Sequence, residues 1–214
     1  MINVRTDHLN GVPIHFEKTS FRLTNDELNT IFGKSYYHPM SNHLTKTSFL
    51  LKDDKLSRIK SFLDERMNSY IENIVEINDK FIMTQSWSTT TKKSENHHLH
   101  SHHNSIFSLV FYVSSEGKKS GNLVFDFKYS KLMERMYLTY DVKNYNTFNS
   151  TTWEYEVNTG DLIIFPAWIE HYTRENTTNN DRIIIGANYF INGIIGTSKK
   201  VNKIGIKVGD LQDD

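Results

Sequence analysis

The sequence contains no cysteine. This absence excludes disulfide bonds, metal sites built from thiolates and catalysis by a cysteine nucleophile. A zinc site in such a chain would need histidine and carboxylate ligands.

The chain also lacks a net charge and a long apolar run. Its 25 basic and 25 acidic residues balance, so neither nucleic acid nor an anionic membrane is expected as a partner. No segment approaches the ~20 apolar residues of a membrane helix, and residues 1–19 lack the apolar stretch of a signal peptide. We therefore expect a soluble, cytoplasmic protein, located in the host cytoplasm if a phage encodes it.

Two helices are predicted in the first third of the chain. Thr24 and Glu27 have the spacing of a capping box, which predicts a short helix that runs to about Phe32 and ends at Gly33. A longer helix is predicted over residues 53–76, because apolar residues recur there at intervals of three and four. This apolar stripe consists of Leu56, Ile59, Leu63, Met67, Tyr70 and Ile74.

After residue 80 the pattern changes to short runs rich in aromatic and β-branched residues. The runs cover residues 80–90, 106–113, 122–128, 137–141, 153–157, 161–166 and 182–192. Clusters of turn-forming residues separate them, which predicts a mainly β sandwich or barrel with flanking helices. We interpret the chain as one domain. It has an N-terminal strand and supporting helices (1–79), a β core (80–192) with an insertion at 130–150, and a tail (193–214) with a strand at 204–208.

Residues 97–103 form a tract in which five of seven residues are histidine. In a strand, alternate residues face the same side, so His98, His100 and His102 can share one face. An H-x-H pair on such a face can chelate one metal ion through neutral imidazoles. The alternative is a polar surface tract that binds metal only adventitiously.

A second feature begins at the turn and apolar strand from Gly160 to Pro166, which lead to His171. Eleven residues later, Arg182 opens another apolar strand. An arginine in that position suggests an anionic ligand, because its planar fork binds a carboxylate through two hydrogen bonds. The alternatives are a structural histidine and a surface salt bridge from the arginine to Glu175 or Asp181.

Taken in order, these motifs resemble the 2-oxoglutarate/Fe(II) oxygenase superfamily over residues 85–192. The chain is most similar to its small bacterial and phage family and, more distantly, to prolyl 4-hydroxylases. The family order is an H-x-(H, D or E) pair, a strand ending in tyrosine, G-x-L-x-F, G-D-L-hydrophobic-F-P, a distal histidine and an arginine. Here it reads His100-Ser101-His102, then 108–112, 121–125 and 160–166, then His171 and Arg182. The resemblance implies a double-stranded β-helix (a jelly roll, as in cupins).

The same resemblance implies that His100, His102 and His171 hold Fe(II). Three protein ligands leave three coordination positions open, for 2-oxoglutarate and dioxygen. No catalytic residue is expected beyond the metal ligands, since the cofactor carries the chemistry.

For the cosubstrate, the resemblance implies that Arg182 binds the distal carboxylate of 2-oxoglutarate and that Tyr112 contacts the same group. Ser108 lies four residues before Tyr112 on the same strand face, so we expect its hydroxyl in the pocket as well. Asn188 shares a face with Arg182 by alternation and is expected to line the pocket more deeply.

The sequence departs from the superfamily pattern at several positions. His102 stands where the usual triad has a carboxylate. The register is open too, because His98 and His100 form a second H-x-H pair and His103 is adjacent. Near the arginine, Ile184 replaces a common serine, and Leu109 replaces a common glycine after Ser108.

The leading hypothesis is an Fe(II)- and 2-oxoglutarate-dependent dioxygenase. We expect a hydroxylase that couples conversion of 2-oxoglutarate to succinate with oxidation of a peptidyl (prolyl) or small-molecule substrate. One alternative is a cupin-like dioxygenase that uses three histidines without 2-oxoglutarate. Another is a non-catalytic binding module that retains the barrel.

Overall fold

The computed structural model describes residues 11–39, 42–127, 141–196 and 202–213. Its two α-helices are α1 (Asn25–Phe32) and α2 (Ser57–Tyr70). The strands are β1 (His15–Lys18), β2 (Tyr36–Tyr37), β3 (His43–Thr45), β4 (Phe81–Thr91), β5 (Phe107–Ser114), β6 (Leu123–Asp126), β7 (Thr152–Tyr155), β8 (Asp161–Pro166), β9 (Glu170–Thr173), β10 (Arg182–Ile191), β11 (Gly193–Ile195) and β12 (Ile204–Ile206).

Helix α1 begins as its sequence predicts. The Thr24 hydroxyl accepts a hydrogen bond from the backbone N–H of Glu27, and the Glu27 carboxylate accepts one from the backbone N–H of Thr24. Gly33 follows the last helical residue, as predicted. Its φ of −72° is right-handed, however, so no left-handed cap ends this helix.

The predicted helix over residues 53–76 is present, but it is not a single α-helix. Asp53 caps a short 3₁₀ turn at Asp54–Leu56, α2 follows, and a π-helical turn at Ile71–Val75 ends the segment. The predicted apolar stripe is buried except for Ile74, which is 46% exposed beyond the end of the α-helix. The stripe packs with residues of the large sheet in the main hydrophobic core.

The strands form two antiparallel sheets and a hairpin. The large sheet has seven strands in the order β1-β8-β5-β10-β4-β3-β2, and the small sheet has the order β7-β6-β9. The antiparallel β11–β12 pair lies within the tail and confirms the strand predicted near residue 204. Among the described residues, no helix is long and apolar enough to cross a membrane.

Alternation along β5 and β10 divides the large sheet into two faces. One face presents Leu109, Phe111, Ile185 and Ala187 to the core that contains α2. On the other face, Tyr112 of β5 and Thr89 of β4 are cross-strand partners of Ile184 on β10. This second face also carries Arg182, which lies two residues before Ile184 on β10. It forms the floor of the site described below.

Most predicted β runs coincide with strands to within a few residues. The run at 137–141 and most of the predicted insertion lie outside the described residues, which resume at 141. Strand β9, which carries His171, was not predicted, because four residues after a turn are too short to show a pattern.

Candidate metal centre

Three histidines meet on the inner side of the two sheets. His100 and His171 form an antiparallel bridge, with each backbone N–H bonded to the other residue's carbonyl at 3.0 and 2.9 Å. His102 is held at Ala167 by a further backbone bond. One ring nitrogen from each of the three histidines lies within 4.8 Å of one from each of the others. His102 of the tract and the distal His171, 69 residues apart, therefore lie close together.

The Nδ1 atom of each of these rings already has a hydrogen-bond partner. His100 Nδ1 lies 2.8 Å from the His98 carbonyl, and His171 Nδ1 lies 2.9 Å from the Ile169 carbonyl. A carbonyl can only accept, so both Nδ1 atoms carry the proton and both Nε2 lone pairs are free. His102 Nδ1 lies 2.7 Å from Asn188 Oδ1 and 2.8 Å from Ser108 Oγ. Such outer partners fix the tautomer that a metal-binding histidine needs.

Burial keeps these imidazoles neutral. Burial first, and neighbouring imidazoles second, lower the pKa of His102 to about 4 and that of His171 well below the usual value. The pKa of His100 is lowered by burial as well. Neutral rings with free Nε2 lone pairs are the form in which histidine binds metal.

Two other histidines of the tract lie on its exposed side. His98 and His103 are exposed, and neither belongs to the group that includes His171. A second group of nearby ring nitrogens consists of His97, His98 and His100. Of the two H-x-H pairs, the structure brings His100 and His102 together with His171.

Arg182 lies in the same cavity as these imidazoles and is only 2% exposed. Its Nη1 donates to the carbonyls of Ser120 and Gly121 at 2.8 and 2.9 Å. Its Nη2 donates to the hydroxyls of Thr91 and Thr173 at 3.0 and 2.8 Å. Nη1 also makes a longer bond, 3.5 Å, to the Arg174 carbonyl, and all five acceptors are uncharged. Among the described residues no carboxylate pairs with Arg182, so a surface salt bridge does not account for it.

One hydroxyl group beside Arg182 has no protein partner among the described residues. Thr89 is 1% exposed, and its Oγ1 is buried without a hydrogen bond. Tyr112 is also 1% exposed, and burial raises the pKa of its phenol above the usual range. Both side chains line the cavity, on either side of Ile184. Buried polar groups normally have partners, so the Thr89 hydroxyl suggests a polar ligand.

Ser108 and Asn188 lie elsewhere than the sequence suggested. Instead of lining the cavity around Arg182, both contact the His102 ring, and the Ser108 hydroxyl donates to Asn188 Oδ1 at 2.8 Å. Asn188 Nδ2 in turn donates to Gln85 Oε1 at 3.2 Å. Their polar atoms are occupied in orienting His102 rather than available to a cosubstrate.

Sequence reasoning missed several residues of this cavity. Thr89, Thr91 and Thr173 come from β4 and β9, and their register against Arg182 is fixed only by sheet pairing. His97 also lines the cavity, with its ring stacked on that of His100 at 4.4 Å between centroids. Burial, together with nearby imidazoles, lowers its pKa to about 2. Alternation along β4 could have placed Thr89 and Thr91 on one face of the strand. It could not show which residues of the other strands they face.

Residues 85–188 match a family model described as "Putative 2OG-Fe(II) oxygenase". This segment, just under half of the chain, is therefore similar to that family. The match spans the histidine tract, His171 and Arg182, and ends at Asn188. No curated protein matches the chain by sequence.

Solved structures of similar fold confirm the double-stranded β-helix. SnoN, a non-heme alpha-ketoglutarate-dependent epimerase from nogalamycin biosynthesis, has 10% identity and a TM-score of 0.60, covering 87% of this chain and 82% of that one. HygX from Streptomyces hygroscopicus, crystallised with nickel and 2-oxoglutarate, has 14% identity and a TM-score of 0.58, covering 83% and 82%. A 2OG-Fe(II) oxygenase family oxidoreductase from Burkholderia pseudomallei has 11% identity and a TM-score of 0.54, covering 75% and 73%.

Proposed function

We propose that this protein is an Fe(II)- and 2-oxoglutarate-dependent dioxygenase in which His100, His102 and His171 hold the iron and Arg182 binds the cosubstrate. The observation that carries the proposal is the buried guanidinium of Arg182. It lies in one cavity with three neutral imidazoles and has no carboxylate partner among the described residues. Burying an unpaired charge is costly, so such an arrangement favours a site that an anion completes.

The charge of the cavity fits 2-oxoglutarate. Three neutral imidazoles leave a divalent ion with its full charge, and Arg182 adds one more positive charge. Within the described part of the chain, neither Asp nor Glu lines the cavity. A dianion that contacts the metal at one end and the guanidinium at the other offsets most of this charge. The unpartnered hydroxyl of Thr89 and the phenol of Tyr112, which also lines the cavity, supply further donors to the carboxylate near Arg182.

The donor set also fits iron. Three imidazole nitrogens with free lone pairs suit a divalent first-row ion, and a three-ligand site leaves positions open for the cosubstrate. When bound, iron and 2-oxoglutarate together supply an oxidation by dioxygen in which the keto acid loses carbon dioxide and becomes succinate.

The residues of this chain contribute placement rather than proton transfer. Ser108 and Asn188 fix the His102 ring, and the carbonyls of His98 and Ile169 fix the other two. Arg182 is itself held by five uncharged acceptors, so its direction is set before any ligand enters. Such preorganisation lowers the ordering cost of binding.

We further propose that the oxidation is a hydroxylation, with a peptidyl (prolyl) substrate as the first class to test. The sequence resemblance to prolyl 4-hydroxylases supports this choice. Related folds carry out other reactions, since SnoN is an epimerase, so product analysis must accompany the assay.

A second candidate is a three-histidine dioxygenase that does not use 2-oxoglutarate. The observation in its favour is that the metal group contains three imidazoles and no carboxylate. It predicts iron binding without any dependence on a keto acid, and it leaves the buried Arg182 without a role.

An anaerobic titration tests the proposal. Protein loaded with Fe(II) is mixed with 2-oxoglutarate, and the visible iron-to-keto-acid charge-transfer band is recorded. We expect the wild type to give the band, His171→Ala to lose it, and Arg182→Gln to need at least ~100-fold more 2-oxoglutarate, because a hydrogen-bonded charge pair is lost. Arg174→Gln is the matched control, since Arg174 is half-exposed and pairs with Glu154 on the surface.

Two outcomes would contradict the proposal. If iron binds to the wild type and no band forms at any 2-oxoglutarate concentration, the three-histidine dioxygenase becomes the better assignment. If no iron binds tightly, the non-catalytic module does.

A further inference from the structure

A second cluster of potential metal ligands lies outside the cavity. It consists of His38, which follows β2, His43, which begins β3, and Glu95, in the loop that leads into the histidine tract. The Nε2 atoms of His38 and His43 lie 3.3 and 3.2 Å from the same carboxylate oxygen, Glu95 Oε1. One ligand atom from each of the three residues lies within 4.8 Å of the other two.

The backbone holds two of these ligands in place. His43 pairs with Thr90 across β3 and β4, which fixes its position against the large sheet. The other carboxylate oxygen of Glu95 accepts a 2.7 Å hydrogen bond from the backbone N–H of Lys92. The Glu95 carbonyl accepts another, at 2.9 Å, from the backbone N–H of Asn176. Glu95 is therefore oriented without help from either histidine.

A hydrogen bond beside the cluster also joins the segment that carries His43 to the segment that carries Glu95. Asn42, only 2% exposed, donates from its side chain to the Asn96 carbonyl at 3.4 Å. The segment around His43 and the segment around Glu95 thus already lie side by side. A bound ion would strengthen a contact that the fold has made, and would need little rearrangement to enter.

The distances suit a metal ion. An ion in tetrahedral coordination, with bonds of about 2.0–2.1 Å to nitrogen and oxygen, holds its ligand atoms about 3.4 Å apart. The two measured separations, 3.2 and 3.3 Å, agree with that value. Two imidazoles and one carboxylate are a donor set that zinc and its first-row neighbours accept. The side chains of His38, His43 and Glu95 are 45, 29 and 19% exposed, so solvent can complete the coordination.

The competing interpretation is a network of two histidines bonded to one carboxylate. It explains the same distances, because each Nε2–H could donate to Glu95 Oε1. The two interpretations differ in what an added ion does, because only a metal site gains affinity from three ligand atoms within 4.8 Å of one another. The two imidazoles lie 4.6 Å apart between centroids, and the second Glu95 oxygen is bonded to the backbone, so one ion can contact all three side chains without moving the loop.

We propose that His38, His43 and Glu95 form a second divalent-metal site of the zinc type, which clamps the connection between β2 and β3 to the loop that precedes the histidine tract. This site shares no ligand with the group of His100, His102 and His171. It does not depend on the oxygenase function, and it would remain if that function were wrong.

Calorimetric titration of the metal-free, full-length protein with Zn²⁺ tests the site. We expect the wild type to bind two equivalents tightly. His38→Gln and Glu95→Gln should each bind only one equivalent tightly. Their affinity for the second should fall by more than ~10–100-fold, which is the loss typical when only an outer partner of a metal ligand is removed. His38 is the most exposed of the three, so its substitution leaves the fold intact. The control is His15→Gln, because His15 lies 3.8 Å from Glu17 without a third ligand.

Thermal denaturation gives a second readout. The metal-free variants should unfold at the wild-type temperature, whereas the second equivalent of Zn²⁺ should stabilise only the wild type and His15→Gln. Binding of a single equivalent to the wild type would overturn the proposal and leave an ordinary hydrogen-bond network. So would a second equivalent that His98→Gln removes and His38→Gln retains, because the ion would then lie in the histidine tract.

Discussion

Replacing Thr89 by valine should raise the stability of the metal-free protein and weaken its binding of 2-oxoglutarate. Valine has the shape of threonine without the hydroxyl. The Thr89 hydroxyl is buried and has no hydrogen-bond partner among the described residues. Most substitutions that damage a binding site either lower stability or leave it unchanged. Opposite changes in the two quantities would therefore identify a group kept for a ligand.

The magnitudes follow from the environment of the hydroxyl. A buried polar group without a partner costs roughly 1–3 kcal/mol, so the free energy of unfolding of Thr89→Val should rise by about that amount. A hydrogen bond to a charged group contributes about 1.5–3 kcal/mol. Its loss should therefore weaken 2-oxoglutarate binding by roughly 10–150-fold.

Two measurements and two controls check this prediction. Urea denaturation gives the free energy of unfolding, and the anaerobic charge-transfer titration gives the affinity. Thr91→Val is the matched variant, and it should be less stable, because the Thr91 hydroxyl accepts from Arg182 at 3.0 Å. For the keto acid 2-oxobutanoate, which lacks the distal carboxylate, Thr89→Val should bind as the wild type does.

The reasoning would be refuted if Thr89→Val were destabilised while its affinity for 2-oxoglutarate stayed unchanged. An equal loss of affinity for both keto acids would also contradict it, since the hydroxyl would then act near the metal rather than at the distal carboxylate.

Three other predictions concern the supports of the site. Asn188→Ala should weaken Fe(II) binding by roughly 10–100-fold in a metal titration, because the His102 ring loses a partner. Gly121→Ala should cost at least ~1–3 kcal/mol in thermal denaturation and lower 2-oxoglutarate affinity. The φ of Gly121 is +87°, and a Cβ added there would lie 2.1 Å from the Arg174 carbonyl and 2.8 Å from the Arg182 guanidinium. The control is Gly205→Ala, which should be neutral because a Cβ at that position would meet open space. Finally, His102 in the unfolded state takes up a proton near the ordinary histidine pKa of ~6.5. In the folded protein its pKa is lowered to about 4, so it takes up the proton only at a lower pH. The free energy of unfolding of the metal-free protein should therefore fall, by on the order of 3 kcal/mol from this residue, as pH drops between those values. A pH dependence of the same slope in His102→Asn would contradict this assignment.

Local patterns in the sequence identified most secondary structure. The capping box of α1 and the apolar stripe of α2 depend on neighbours three or four residues apart, so the sequence alone could reveal them. Strands β4, β5, β8 and β10 of the large sheet were found because alternation and turn residues are also local signals, whereas the short β2 and β3 were not predicted. Strand β9 was missed because it is short, and its pairing with β6 comes from residues far along the chain.

The chemical types of the site residues were evident from the sequence, but their partners were not. His100, His102, His171 and Arg182 stood out through spacing and resemblance. That Ser108 and Asn188 contact His102, and that Thr89 and Thr91 line the cavity with Arg182, depends on the register of β4, β5 and β10. A shift of one residue in that register would turn each of these side chains to the other face of the sheet.

The sequence by itself determined the absence of thiol chemistry, the helices, most strands and the residue types able to bind metal and a carboxylate. Only the tertiary structure decided which of the neighbouring histidines face His171, that Arg182 is buried without a counter-charge among the described residues, and that His38 and His43 meet Glu95. The physical reason is that composition and periodicity act over a few residues, whereas ligand geometry and burial arise when strands distant in the chain pair in one register.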